Sequence, residues 1–219
     1  MKLLIEDEDS TDMDQLLKMA FVQTHRALSR EDFDIQKSGT SACTVLVAHS
    51  TLFCANSGDS RAVLGRKDGM FWKPVALSRD HKPTEDDEKR RIIANNGRVL
   101  RISGGSPRIW LQDKLEPGLA LSRSLGDRMA HKVGVISTPE IKRHELSINE
   151  KFIIIGSDGL WDKVPSTEAV NLVGDYWKAG HESLAVGALV ALAAQRWKED
   201  GKGDDYYMDD MTALVIFFQ

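Results

Sequence analysis

The sequence predicts an α+β fold, and three observations carry that reading. Apolar residues fall at helical spacing near the N-terminus, a series of short strands broken by turn signals follows, and two helical segments then precede a closing apolar strand. The first segment, Thr11 to about Ser29, carries Met13, Leu16, Leu17, Ala20, Phe21, Thr24 and Leu28 on one stripe, and Thr11 with Asp14 resembles a capping box. The period then changes. Ser41 to Ala48 reads as a strand with apolar groups on both sides, His49 to Thr51 as a turn, and Leu52 to Asn56 as the returning strand. SGDS breaks it, Arg61 to Gly65 resumes, and Lys67 to Gly69 signals a tight turn. FWKPVAL follows as a short strand in which Pro74 points to an edge position. Together these read as an antiparallel meander.

Thr84 to Asn95 reads as a short charged helix anchored by Ile92 and Ile93 and ended by Asn96-Gly97. Arg98 to Leu119 has poor periodicity and reads as an irregular excursion. Lys151 to Ser157 is a strand buried on both faces. Pro165 and Ser166 lead into a helix carrying Ala169, Val170, Val173 and Trp177, and a second helix runs from about Ser183 to Trp197. After a polar connector, Thr212 to Phe218 closes the domain as a core strand. Strands that are apolar on both sides suit two antiparallel sheets packed face to face.

Bulk properties narrow the function classes. The 219 residues are 42% hydrophobic and 28% charged, which fits one globular domain. A net charge of -4 gives no support for binding nucleic acid or an anionic membrane. Cys43 and Cys54 lie in apolar, strand-like surroundings without metal-site spacing, which favours two reduced core thiols and a cytoplasmic or nuclear setting. The opening MKLLIEDEDSTDMD turns acidic too early for a signal peptide, and no run approaches the length of a membrane span.

The chemistry-bearing residues are carboxylates at strand ends. Asp59 interrupts a strand pair, Asp158 and Asp162 follow the most apolar strand, and Asp209 and Asp210 precede the last one. Three separate chain regions thus place Asp where strands of one sheet can converge. Two readings are open. Asp is an ordinary turn residue. Alternatively, clustered carboxylates repel one another, and a hard divalent cation removes the repulsion. No His or Cys cluster competes for the metal. GSDGL is not the Gly-x-Ser-x-Gly nucleophile elbow, and SGTSACT lacks the lysine and spacing of a P-loop.

SGTSACTVLVAHSTLFCANSGDSRAVL, LSRDHKPTEDDEKRRIIANNGRV, PGLALSRSLGDRMAHKVGVISTPEI, FIIIGSDGLWD and DDMTALVIF stand in this order from about residue 37 to the C-terminus. The series resembles the metal-dependent serine/threonine protein phosphatases of the PPM type, also called type 2C. The resemblance implies a single α-β-β-α sandwich domain over residues 1–219, two antiparallel sheets between helical layers, incomplete at its N-terminus. It implies Mn²⁺ or Mg²⁺ as cofactor. Asp158 and Asp209 would hold the core metal, and Asp59 and Asp162, with Asp158, a weaker additional one. Asp210 departs from the Asn that is common there. Arg98 to Leu119 would begin a flap beside the active site, with Trp110 a packed anchor or, alternatively, a substrate contact.

The same resemblance implies phosphoserine and phosphothreonine protein substrates, no nucleic-acid or membrane partner, and a monomer when the domain is complete. The family's Asp-Gly-His-Gly motif, with its bridging carboxylate and proposed acid, is absent from the sequence, as are its phosphate-binding arginine and early acidic residues. No catalytic side chain is therefore assigned. Impaired or absent activity is expected of this chain, with exposed sheet edge and self-association. The alternative is a non-catalytic binding or regulatory module.

Overall fold

The computed structural model describes residues 12–102, 104–200 and 208–218. In chain order the elements are α1 (Met13–Leu28), β1 (Gly39–Thr40), β2 (Ala42–Ala48), β3 (Thr51–Ser57), β4 (Arg61–Asp68), β5 (Phe71–Ala76) and α2 (Asp86–Ala94). There follow β6 (Arg98–Leu100), β7 (Arg108–Trp110), β8 (Pro117–Leu119), β9 (Leu125–Gly126), α3 (Arg128–His131), β10 (Glu140–Glu145) and β11 (Glu150–Gly156). The last are α4 (Asp158–Trp161), α5 (Ser166–Ala179), α6 (Glu182–Asp200) and β12 (Ala213–Phe217). The fold is α+β, with antiparallel sheets and packed helices. Among the described residues no helix is long and apolar enough to cross a membrane. The chain divides into two compact units, one of residues 1–42 and 81–141 and the other of residues 43–80 and 142–219.

The second unit holds the strand pattern that matters for function. Its four-stranded sheet has the order β12-β11-β4-β5, and a three-stranded sheet has the order β10-β3-β2. β11 lies inside the larger sheet, and the two faces of its apolar run feed different cores. Phe152 and Ile154 join Val170, Val173 and Leu189 of α5 and α6, whereas Ile153 joins Leu52, Cys54 and Leu64 between the two sheets. This unit thus layers a helix pair, a four-stranded sheet and a three-stranded sheet.

The expected meander is split between the two sheets. The chain leaves β3 and enters β4 through Gly58, at φ 116°, so SGDS is a corner rather than a pause in one ribbon. Pro74 sits on the edge strand β5, opposite Gly65, where its missing N–H costs no ladder bond. β12, read as a core strand, is an edge, and so is β2, read as apolar on both sides. β2 exposes Leu46 and Val47, and β12 exposes Leu214 and Ile216.

In the first unit α1 is capped by Asp12, whose carboxylate accepts from the Asp14 N–H at 3.1 Å. Thr11 lies outside the described residues. In α2 only Ile92 is an anchor. Ile93 is 54% exposed, because adjacent helical positions point about 100° apart. Arg98 to Leu119 is irregular only between three short strands. It forms the antiparallel sheet β6-β7-β8, whose strands of three residues are too short to show a period. Trp110 packs there against Gly118, and its indole N–H donates to the Leu100 carbonyl at 3.2 Å, as a packed anchor does.

A buried carboxylate and a half-buried imidazole fasten this unit. Glu88, fully buried, accepts from Arg91 at 2.6 and 2.8 Å, from Arg123 at 2.7 and 3.0 Å, and from the Ser122 hydroxyl at 2.5 Å. Burial alone would raise its carboxyl. The hydrogen bonds from Arg91, Arg123 and Ser122 outweigh burial and hold it at about 2. His131 stacks on His25 with ring centroids 4.1 Å apart. Burial, then its neighbour His25, lowers His131 to about 4.

Both shifts link stability to acid, in different windows. Below pH about 6.5 the unfolded chain takes up a proton that folded His131 refuses, so stability falls as pH drops toward 4. Glu88 contributes stability that is complete above about 4.5 and is lost as pH falls through about 2. Glu88→Gln should cost about 3 kcal/mol at pH 7. Urea unfolding at stepped pH should show the gap from wild type closing between pH 4.5 and 2. A constant gap across that range would remove Glu88 as the titrating group.

Candidate active site

Strand register sets the position of the acidic turns. Gly156, the last residue of β11, pairs with Arg61 of β4 on one side and with Ala213 of β12 on the other. Asp59 precedes Arg61 by two residues, Asp158 follows Gly156 by two, and Asp209 precedes Ala213 by four. All three therefore lie at one end of three neighbouring strands. Asp162 stands one helical turn beyond Asp158, its N–H donating to the Asp158 carbonyl at 2.8 Å.

Local bonds lock these turns together. The Ser157 N–H donates to the Thr212 carbonyl at 3.0 Å, and the Thr212 N–H donates back to Ser157 Oγ at 3.0 Å. Ser157 Oγ also donates to the Asp210 carbonyl at 3.3 Å. Gly159 lets the two acidic turns touch, since a β-carbon there would come within 2.3 Å of the Asp210 carbonyl oxygen. The Trp161 indole N–H reaches the carbonyls of Arg61 and Gly156, each at 3.0 Å, and the Trp197 indole N–H donates to the Gly159 carbonyl at 2.7 Å. On the β4 side Asn56 Nδ2 donates to the carbonyls of Gly58 at 3.1 Å and Arg79 at 3.0 Å, which fixes the Asp59 corner.

The carboxylates differ in setting. Asp59 is buried, Asp158 and Asp209 are half-buried, and Asp162 is exposed. Asp158 Oδ1 accepts from the Gly159 N–H and Asp209 Oδ1 from the Asp210 N–H, each at 2.9 Å. Arg61 is a cation within their field. Its guanidinium makes a bidentate bond to Asp80 at 2.9 and 2.7 Å and donates to Ser166 Oγ at 3.1 Å. Its pKa is raised, first by the Asp80 hydrogen bond and further by the charges of Asp80, Asp162 and Asp59.

The donor chemistry suits a hard divalent cation. The side chains are carboxylates, and beside Asp59 the buried oxygens Asn56 Oδ1 and Ser57 Oγ have no hydrogen-bond partner. A closed ligand set is another matter. Among the described residues no three His, Cys, Asp or Glu side chains are grouped so that they could hold a metal ion. The fold brings the acidic segments to one sheet end without closing a cage of side chains.

A family model described as protein phosphatase 2C matches residues 1–200. The chain belongs to the protein phosphatase 2C family. It is 35% identical over 208 residues to probable protein phosphatase 2C 73 of Arabidopsis thaliana, covering 91% of this chain and 54% of that protein. It is 36% identical over 232 residues to probable protein phosphatase 2C 35 of the same plant, covering 95% and 65%. The chain thus spans about half to two thirds of the length of these curated relatives. The fold matches a crystal structure of serine-threonine phosphatase 2C from Toxoplasma gondii with a TM-score of 0.77 at 24% identity, over 94% of this chain and 66% of that one. It also matches a sex-determining protein of C. elegans at TM-score 0.71 and 19% identity, over 97% of this chain and 48% of that one.

Of Arg61, Asp80 and Ser157 in this phosphatase 2C chain, only Arg61 carries a local sequence signal of a role at the site, as a charged residue opening an apolar strand. Its partner Asp80 stands 19 positions away and gives no local cue. The contact at Gly159 is the most exacting of the locks. Gly159→Ala should destabilise the protein by about 1–3 kcal/mol, against the gain that helix propensity alone would give, because the added methyl meets backbone rather than a movable side chain. Urea denaturation measures it, and a stabilised variant would show that the two turns are free to separate.

Proposed function

We propose that this chain carries the acidic face of a metal-dependent protein serine/threonine phosphatase, with Mn²⁺ or Mg²⁺ as cofactor and phosphoserine or phosphothreonine in proteins as substrate. The observation that carries the reading is the pairing of Gly156 with both Arg61 and Ala213, which sets Asp59, Asp158 and Asp209 at one end of the sheet. Family membership supports the phosphatase class. Asp158 and Asp209 would hold the core metal position, and Asp59 and Asp162, with Asp158, a weaker one. A divalent ion supplies an activated water and neutralises charge on the transferring phosphoryl group.

The chain's own residues act by positioning. Ser157 and Gly159 hold the Asp158 and Asp209 turns in contact. Trp161 pins the ends of β4 and β11. Arg61, fixed by Asp80, offsets part of the repulsion among Asp59, Asp80 and Asp162. Direct attack by water fits the sequence, since neither cysteine opens a Cys-x₅-Arg loop: Cys43 is followed at that spacing by His49 and Cys54 by Ser60. A second reading, a non-catalytic binding module, is favoured by the lack of a closed carboxylate group among the described residues.

Calorimetric titration with Mn²⁺ and phosphate release from a phosphothreonine peptide test both readings on the 219-residue chain. Wild type should bind Mn²⁺, and Asp158→Asn should weaken binding at least about tenfold. Release should be very slow, strictly metal-dependent and absent in the variant. Binding without release would favour the module. No binding, or binding untouched by the substitution, would overturn the metal assignment.

A further inference from the structure

The β4–β5 hairpin ends in Asp68-Gly69-Met70-Phe71, with Gly69 at φ 59° taking the turn. Turns of this kind ordinarily carry polar residues. Here Met70 is 84% and Phe71 76% exposed. The tip is nevertheless firmly seated. The next residue, Trp72, is buried, with its ring centroid 5.2 Å from Phe152 and 5.6 Å from Trp177. Trp72 fits a notch left by Gly174 of α5, where a β-carbon would come within 2.1 Å of the indole nitrogen. The two exposed side chains are therefore presented from a fixed base, which lowers the ordering cost of binding.

Beside the tip lies a concavity of about 470 Å³. Met70, Phe71 and Trp72 form one wall, and Asn171, Asp175 and Lys178 of α5 form the other. Its surroundings are basic. Lys67 and Lys151 place their ammonium groups 5.0 and 5.5 Å from the centre of the Trp177 ring, and Lys178 lies 5.8 Å from that of Trp72. Lys73 pairs with Asp68. Four lysines thus face Asp68 and Asp175 on a chain whose net charge is -4.

We propose that this surface docks an acidic protein segment bearing one apolar anchor side chain. The anchor enters the concavity against Met70 and Phe71, and flanking Asp or Glu residues meet Lys67, Lys73 and Lys178. A concavity with Asp175 in its wall suits a polypeptide better than the flat anionic surface of a bilayer. The inference is independent of the phosphatase reading, since it uses none of the acidic-turn residues.

Selection of a random twelve-residue displayed peptide library on the full chain, counter-selected on Phe71→Ser, tests it. Enriched peptides should carry a large apolar residue flanked by acids. Fluorescence anisotropy of a selected peptide should show affinity falling at least about tenfold with Phe71→Ser and with Lys178→Glu, and falling as salt rises from about 50 to about 300 mM. Phe71→Ser alters an exposed position and should melt as wild type does, whereas Lys178→Glu also loses the ion pair with Asp175 at 3.6 Å and should melt slightly lower while remaining folded at the assay temperature. The proposal is overturned if no Phe71-dependent peptide emerges, or if the selected flanks are neutral or basic. It is also overturned if vesicles of phosphatidylcholine and phosphatidylserine, rather than peptides, bind through Met70 and Phe71.

Discussion

The register of β11 is the constraint on which the second unit depends. β11 pairs with β4 on one side and β12 on the other, and both of its faces are buried. Phe152 and Ile154 belong to the helix-side core, and Ile153 to the core between the sheets. A slip of one residue would send each set to the wrong core, so packing on two sides fixes the register. The acidic turns inherit that accuracy. Asp59, Asp158 and Asp209 stand two to four residues beyond the ends of paired strands, so the end of the sheet at which they gather is set by hydrophobic burial remote from any charge.

Bringing carboxylates to one strand end opposes folding, and several small devices offset it. Asp158 and Asp209 each accept from the N–H of the following residue, which spreads charge into the backbone. Arg61 supplies a cation within the field of Asp59 and Asp162 while tied to Asp80. Its place over the Trp161 ring, 5.3 Å from the centroid, keeps that cation from swinging into solvent. The helix layer also reaches the site directly, because Trp197 of α6 holds the Gly159 carbonyl. Cover of the sheet and placement of the acidic turn are thus one act of packing.

Legibility followed the length and exposure of each signal. β11 and α5 were readable because a two-sided apolar run and a helical stripe are both long. β6, β7 and β8 were not, since each has three residues. The apolar content of β2 and β12 was evident, but sequence does not say whether a strand has a neighbour on each side. Leu46, Val47, Leu214 and Ile216 prove exposed because the faces of these edge strands are only partly covered by neighbouring layers. For the site, the turns bearing Asp59, Asp158, Asp162 and Asp209 were readable one by one. The lock through Ser157, Gly159 and Arg61 was not, because it is made of contacts between segments up to 105 residues apart.

β4 joins the two surfaces of interest. Arg61 opens it at the acidic end, and Asp68 closes it at the hairpin tip. Seven residue steps of about 3.3 Å separate them by roughly 23 Å. A segment docked beside Phe71 would therefore leave the acidic end open, and on the proposed phosphatase reading a phosphorylated residue seven or more extended positions along the same polypeptide would reach it. Such tethering raises local concentration without any contact near the reacting group, provided the intervening chain spans the distance. Selectivity of this kind would depend on the spacing between an acidic, apolar-anchored segment and the phosphorylated residue, and on neither one alone. The rigid strand supplies the ruler, and the Trp72 seat against Gly174 keeps one end of it fixed.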